Sequence, residues 1–336
     1  MTPRSGRRRI WYASFLRLNV PGTDVSEDAP SKIARVPAVL ALRLVLLVCV
    51  GLSGPTPMYG MDITYGSVTP DGCRLTQPAM ILSGTIVAGD YERIIQWSRA
   101  NPTLFLNGKL GILLDSPGGS VVEAIRIAAL FERILATIWI PPFCLGESTA
   151  GRRPVCGSAC FALIVGAPVR VVTPENVAIH RPYFDRSEYG SLEASSARHA
   201  YEQMINAYKV WLARKHVPAH LIEVMLTKSS REAYWLTEAD MRQVGDVAPW
   251  YEEYVIAKCA YEKGTLRKWA DANARGDLQE AERLMQVINR QGICIENAVV
   301  EHRRHLLAPG GALAVSPKDP PRTPREARVS RPDRLP

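Results

Sequence analysis

No part of this sequence approaches the twenty or so consecutive apolar residues that a bilayer-spanning helix needs. The most apolar stretch near the N-terminus, Leu44 to Leu52, is nine residues long, which matches the roughly 7–15 residues of a signal-peptide core. Net charge of one sign is missing from the body of the chain. The formal charge of +8 sits at the ends: residues 1–60 hold eight basic and three acidic residues, residues 306–336 hold six and three, and residues 61–305 hold 27 of each. A neutral body has no electrostatic footprint for a phosphate backbone, so no nucleic acid is expected as a partner. There is no Cys-x-x-Cys pair, which removes the commonest zinc spacing, and no metal is expected. A composition of 47% hydrophobic and 22% charged residues sets aside collagen, coiled-coil and wholly disordered classes.

What the ends do contain points to export. Residues 1–35 are polar, with Arg7, Arg8 and Arg9 in a row, and are expected to be an unstructured basic extension. Residues 36–54 read as a signal peptide, its apolar stretch preceded by basic residues and giving way to the small residues Gly51, Ser53 and Gly54. No Ala-x-Ala cleavage site follows, so an uncleaved membrane anchor is the alternative. Either reading puts the body in the periplasm or facing it. Residues 306–336 are rich in Pro and Arg and poor in large apolar residues, as in a solvated tail. With Cys49 set aside in the leader, six cysteines remain, Cys73, Cys144, Cys156, Cys160, Cys259 and Cys294, enough for full pairing in an oxidising compartment. Cys144 and Cys156 are placed to close a Gly/Ser/Arg-rich loop, and Cys259 and Cys294 bracket two candidate helices. Cys160, inside an apolar run, also reads as a reduced core thiol.

The body alternates apolar runs with helical patterns. Ala79–Val87, Leu110–Leu114, Thr137–Ile140, Ala159–Val165, Val169–Val172 and Val177–Ile179 read as buried strands. Asp90–Ala100, Val121–Ala136, Ser191–Lys215 and Ala219–Leu226 read as helices, with apolar residues at spacings of three and four. This is the pattern of an α/β domain with a mainly parallel sheet, spanning residues 60–257. Residues 258–305 read as a small all-helical appendage, two helices joined near Gly276 and Asp277.

Two segments carry candidate chemistry. In Asp115-Ser116-Pro117-Gly118-Gly119-Ser120, adjacent glycines between a strand and a helix let backbone N–H groups point outward, as an oxyanion requires. In Cys156-Gly157-Ser158-Ala159-Cys160, a serine between small residues can expose its Oγ; Ile179-His180-Arg181-Pro182 follows 22 residues later, and serine with histidine is the pairing of nucleophilic catalysis. Taken singly, each also reads as a plain turn, a capping serine or a structural histidine.

The order Ser-Pro-Gly-Gly before a helix, Gly-Ser-Ala opening an apolar segment, a strand ending in His-Arg-Pro and then a long helix resembles the Clp protease proteolytic subunit family of the Clp/crotonase superfamily. The export signal and the cysteines make it most similar to the periplasmic Clp-like branch. The resemblance runs from about Leu82 to Val247 and includes Trp235-Leu236-Thr237-Glu238-Ala239-Asp240, similar to the segment that follows the family's triad. It implies a ββα-repeat core, Ser158 as nucleophile, His180 as base, and the N–H groups of Gly119 and Ala159 as oxyanion hole. It also implies a homo-oligomer joined through Ser191–Lys215, a peptide or protein substrate, and no cofactor.

The chain departs from the family at the acid. The aspartate expected just before Trp235-Leu236-Thr237 aligns with Ala233, and Glu232, one residue away, is the candidate third member. Three alternatives follow. A lysine base is represented by Lys209; a catalytically inactive Clp-like scaffold or binding protein is favoured by Ala233; and a crotonase-like acyl-handling enzyme would use the glycine N–H groups on a thioester.

Overall fold

The computed structural model describes residues 60–68, 77–140, 154–183, 190–229, 231–308 and 310–311. The basic extension, the leader at 36–54, Cys73, Cys144 and most of the 306–336 tail lie outside the described residues. None of the described helices is long and apolar enough to cross a membrane.

Along the chain, β1 (Asp62–Val68) and β2 (Gln77–Ser83) are followed by α1 (Asp90–Ala100), the short α2 (Pro102–Phe105), β3 (Gly111–Asp115), α3 (Val121–Arg133) and β4 (Thr137–Ile140). Then come β5 (Cys156–Gly157), α4 (Cys160–Gly166), β6 (Val169–Val172), a 3-10 turn at Pro174–Asn176 and β7 (Val177–Ile179). The remainder is α5 (Ala194–Arg214), α6 (Ala219–Thr227), β8 (Tyr234–Trp235), α7 (Glu238–Val244), α8 (Pro249–Cys259), α9 (Thr265–Ala274) and α10 (Leu278–Leu307). The larger sheet runs β1-β2-β3-β4-β6; β2, β3, β4 and β6 are parallel and β1 is an antiparallel edge. The molecule is therefore mixed α/β. The inner strands are apolar on both faces: Met80, Leu82, Ile112, Leu114, Ile138 and Ile140 join the helices in the main core, while Ala79, Leu113 and Trp139 form a separate buried cluster.

A smaller sheet, β5-β7-β8, grows out of the larger one. Ser116, just past β3, donates its N–H to Val155 O (2.7 Å) and accepts from Gly157 N (2.9 Å), while the Asp115 carboxylate accepts from Val155 N at 3.0 Å. On its other side β5 pairs in parallel with β7, Gly157 opposite Ala178. β7 in turn pairs with β8 antiparallel, Ile179 opposite Tyr234.

Two readings of the sequence are corrected here. The apolar run Ala159–Val165 forms helix α4 rather than a strand. Every residue of α4 is buried, so no polar face exists to reveal a helical period, and a short apolar run is ambiguous between the two states. Cys156 pairs with Cys160, not with Cys144, their Cα atoms 5.2 Å apart; this also removes the reading of Cys160 as a free core thiol. The second bridge, Cys259–Cys294, ties the end of α8 to α10. Arg303 of α10 is buried and donates to the carbonyls of Ile134, Phe105, Asn107 and Leu135, fastening the C-terminal helix to the body.

Candidate active site

Helix α3 supplies the platform. Ser120 caps it, its side chain accepting from Glu123 N, so the turn before it is held where the backbone is most constrained. Gly119 bridges to Ile86: Ile86 N donates to Gly118 O and Ser120 N to Ile86 O, both at 2.8 Å. In this parallel arrangement the N–H of Gly119 itself is turned away from Ile86. Ser116 is buried, and its Oγ accepts from Gly118 N at 3.1 Å. Both glycines are demanded by geometry. Gly118 and Gly119 lie at φ +103° and +141°. A Cβ on Gly118 would sit 2.7 Å from Gly157 O and Ser158 Cβ and 3.0 Å from Ala159 N, and one on Gly119 would run into the Ile86 carbonyl.

Ser158 lies against this turn. It is one of four described non-glycine residues at positive φ, at +54°, at the tip of the sharp corner from β5 into α4. Its N–H donates to Ala178 O at 2.8 Å and its carbonyl accepts from Phe161 N at 3.0 Å, which leaves the side chain at the corner's outer edge. Among the described residues, the Ser158 hydroxyl and the N–H groups of Gly119 and Ala159 have no hydrogen-bond partner. The arrangement can present a nucleophile beside two open donors, as acyl transfer requires.

His180 follows directly after β7. The β5–β7 pairing and the Ser158 N–H to Ala178 bond set it beside the Ser158 corner, although no hydrogen bond joins the two side chains. Its Nδ1 lies 2.9 Å from the Arg181 carbonyl. A carbonyl can only accept, so this contact places the hydrogen on Nδ1 and leaves the Nε2 lone pair available. Tyr183 stacks on the imidazole, ring centroids 5.8 Å apart and planes at 23°.

Glu232 is not brought to His180. It is exposed, and its carboxylate accepts from Ser229 Oγ at 3.2 Å. The β7–β8 pairing ends at Ile179–Tyr234; Ala233, the next residue in register toward His180, carries a methyl group, and Glu232 lies in the bend before β8. Lys209 is exposed on α5 and has no contact with Ser158. Two features escaped the sequence reading, the Arg181 carbonyl and the Cys156–Cys160 bridge around Ser158. Only the second had a legible signal, its Cys-x-x-x-Cys spacing.

Behind β8, Asp240 holds the next turn. Burial raises its pKa, but hydrogen bonds from Thr237 N–H and Oγ1, Tyr234 Oη and His220 outweigh this and hold it below its ordinary value. The same contact raises the pKa of Tyr234. A separate cavity lined by Glu132, Arg133, Leu135, Trp250, Tyr254 and His302 lies at the far end of α3, about 20 Å along the helix from Gly119. Among the described residues no cluster of metal-ligating side chains occurs.

No protein-family model matches the chain, and no curated protein matches it. Among solved structures, the chain is similar to a mutant of the 1510-N membrane-bound stomatin-specific protease. The match has 17% sequence identity and a TM-score of 0.34, and covers 55% of this chain and 84% of that one.

Proposed function

We propose that this chain is an exported serine peptidase, facing the periplasm, that hydrolyses peptide bonds with Ser158 as nucleophile and His180 as general base. The observation that carries the reading is the Ser158 corner: a serine at φ +54° against Gly118 and Gly119, beside the open N–H groups of Gly119 and Ala159. His180 Nε2 takes the proton of Ser158 Oγ as that oxygen attacks the peptide carbonyl. The N–H groups of Gly119 and Ala159 receive the negative charge that develops on the carbonyl oxygen. His180 returns the proton to the departing amine, and water then hydrolyses the acyl-enzyme by the reverse path. The Arg181 carbonyl holds the imidazole tautomer, a task that a carboxylate performs in a complete triad. The Ser-Pro-Gly-Gly, Gly-Ser-Ala and His-Arg-Pro order supports the same assignment by its similarity to Clp-type peptidases.

No cofactor takes part in this chemistry. Helix α5, with only Ala197, Tyr208 and Leu212 buried along its 21 residues, is the proposed contact for a homo-oligomer, and residues 36–54 are the proposed leader or anchor. A second reading, an inactive Clp-like binding protein, is favoured by Ala233, the next residue in register toward His180.

A fluorophosphonate probe on the full-length oxidised protein separates the two. The peptidase reading expects covalent labelling that Ser158→Ala abolishes and His180→Ala slows by roughly a hundredfold or more. A folded, oxidised protein that takes up no probe would leave the binding role.

A further inference from the structure

Resting on Ser158 as the nucleophile, we infer that the Cys156–Cys160 disulfide is the positioning device of that serine, so that only the oxidised chain carries a reactive Ser158. The bridge closes the ring Cys156-Gly157-Ser158-Ala159-Cys160, with Ser158 at its centre. Four residues of extended chain span about 13 Å, yet the two Cα atoms are 5.2 Å apart. The reversal is made at Ser158, in a left-handed conformation (φ +54°) that a side chain disfavours. Turn and bridge are therefore linked: whatever favours the S–S bond favours the corner, and a chain freed of the bond regains the commoner backbone conformations. No side chain caps α4, so besides the bridge the corner is held by the backbone bonds of Ser158 N–H to Ala178 O and of Phe161 N–H to Ser158 O.

The size of the ring argues in the same direction. A cross-link stabilises a fold by restricting the unfolded chain, least for the shortest loop, so a ring of five residues contributes little to the whole domain and much to its own geometry. Cys259–Cys294, with a sequence separation of 35, is the opposite case. Both sulfur-bearing residues of the small ring are fully buried, which shields the finished bond from exchange. Oxidation is thus a single event during folding. A thiolate of the pair attacks the disulfide of an exchange partner, such as oxidised glutathione or a disulfide oxidoreductase, and expels one thiolate. The second cysteine then displaces the mixed disulfide. Two electrons and two protons pass from Cys156 and Cys160 to the partner, which leaves as two thiols. A nucleophile assembled this way is silent in a reducing compartment and armed after export.

The test compares fluorophosphonate labelling rates and thermal unfolding for three full-length proteins: the oxidised parent, Cys156→Ala/Cys160→Val, which restores part of the lost volume, and Cys259→Ser/Cys294→Ser. The first pair should keep a cooperative transition and label roughly a hundredfold more slowly, the scale of a nucleophile displaced by about an ångström. The second pair should lose more thermal stability and label at the parental rate. A folded first variant labelled within about threefold of the parent overturns the inference, and so does labelling that falls in both pairs in proportion to melting temperature. Loss of the cooperative transition in the first pair would make the bridge a staple of the whole domain and also overturn it. An unlabelled, folded parent overturns the Ser158 reading itself, and the inference with it.

Discussion

Ser158 occupies a backbone conformation that glycine would adopt at no cost, so a serine there has to be held by its surroundings. Its neighbour in the proposed chemistry, His180, is held by weaker means: a carbonyl on Nδ1 and an exposed tyrosine on its face. The next position in register toward it, which could supply a charge, is Ala233. Ala233→Asp would set a carboxylate on the side of the imidazole and would stabilise the imidazolium formed when Ser158 gives up its proton. Losing a triad acid commonly lowers rates by orders of magnitude. The variant is therefore expected to speed fluorophosphonate labelling by about tenfold or more, while Glu232→Gln, whose carboxylate meets Ser229, leaves the rate unchanged. The opposite pattern, with Glu232→Gln slowing the reaction and Ala233→Asp inert, would return the acid's role to Glu232. Ser158 and His180 stand out in the sequence as motifs, and Ala233 as a departure from the pattern that they resemble. The Arg181 carbonyl does not, because every residue has a carbonyl and only the fold says where it points.

Among the helices, those with one polar face were legible and the one without was not, whereas the buried strands β3, β4 and β7 were legible as short apolar runs. Helices α1, α5 and α6 show their apolar stripe against exposed residues and begin and end within a few residues of the sequence reading. Helix α4 has no exposed face, and β5 and β8 are two residues each, too short to carry a period. The segment after β8 shows how a short strand is nonetheless fixed. Thr237 and Asp240 form a reciprocal capping box on α7, and Tyr234 of β8 donates to the same carboxylate, so one side chain ties the strand paired with β7 to the following helix. Asp240→Asn is expected to lower stability at neutral pH by about 1 kcal/mol, the usual scale of a helix cap. The pH dependence has a definite sign. Because the folded-state pKa lies below the ordinary 3.8, the ionised carboxylate contributes stability above that value, and the contribution is lost as pH falls from 3.8 through the folded pKa. Urea unfolding of parent and variant should differ at pH 7 and converge below pH 3.8. A gap that persisted in acid would show that shape, and not charge, is what Asp240 provides.

Over the whole molecule, α3 links two regions with different tasks. The Ser120 cap and the glycine corner lie just before its first turn; the carbonyls of Ile134 and Leu135, just past its end, receive the guanidinium of Arg303, where a cation also meets the negative end of the helix dipole. Burial lowers the pKa of Arg303 to about 10, so it remains charged at neutral pH, and it faces carbonyls rather than a carboxylate. Arg303→Met would leave the buried carbonyls of Phe105, Ile134 and Leu135 short of a donor, while Asn107 keeps the Leu110 N–H, and the expected loss is about 3 kcal/mol. The Cys259–Cys294 bridge keeps α10 attached to α8 in that variant, so the protein should still fold, with a lower urea midpoint. If the C-terminal helices serve only to cover the body, labelling of Ser158 in folded Arg303→Met should match the parent, because the change lies a helix length from Gly119. A labelling rate that fell while the protein stayed folded would mean that the position of α3 is transmitted to the glycine corner, and the helical appendage would then belong to the machinery that holds the oxyanion site in place.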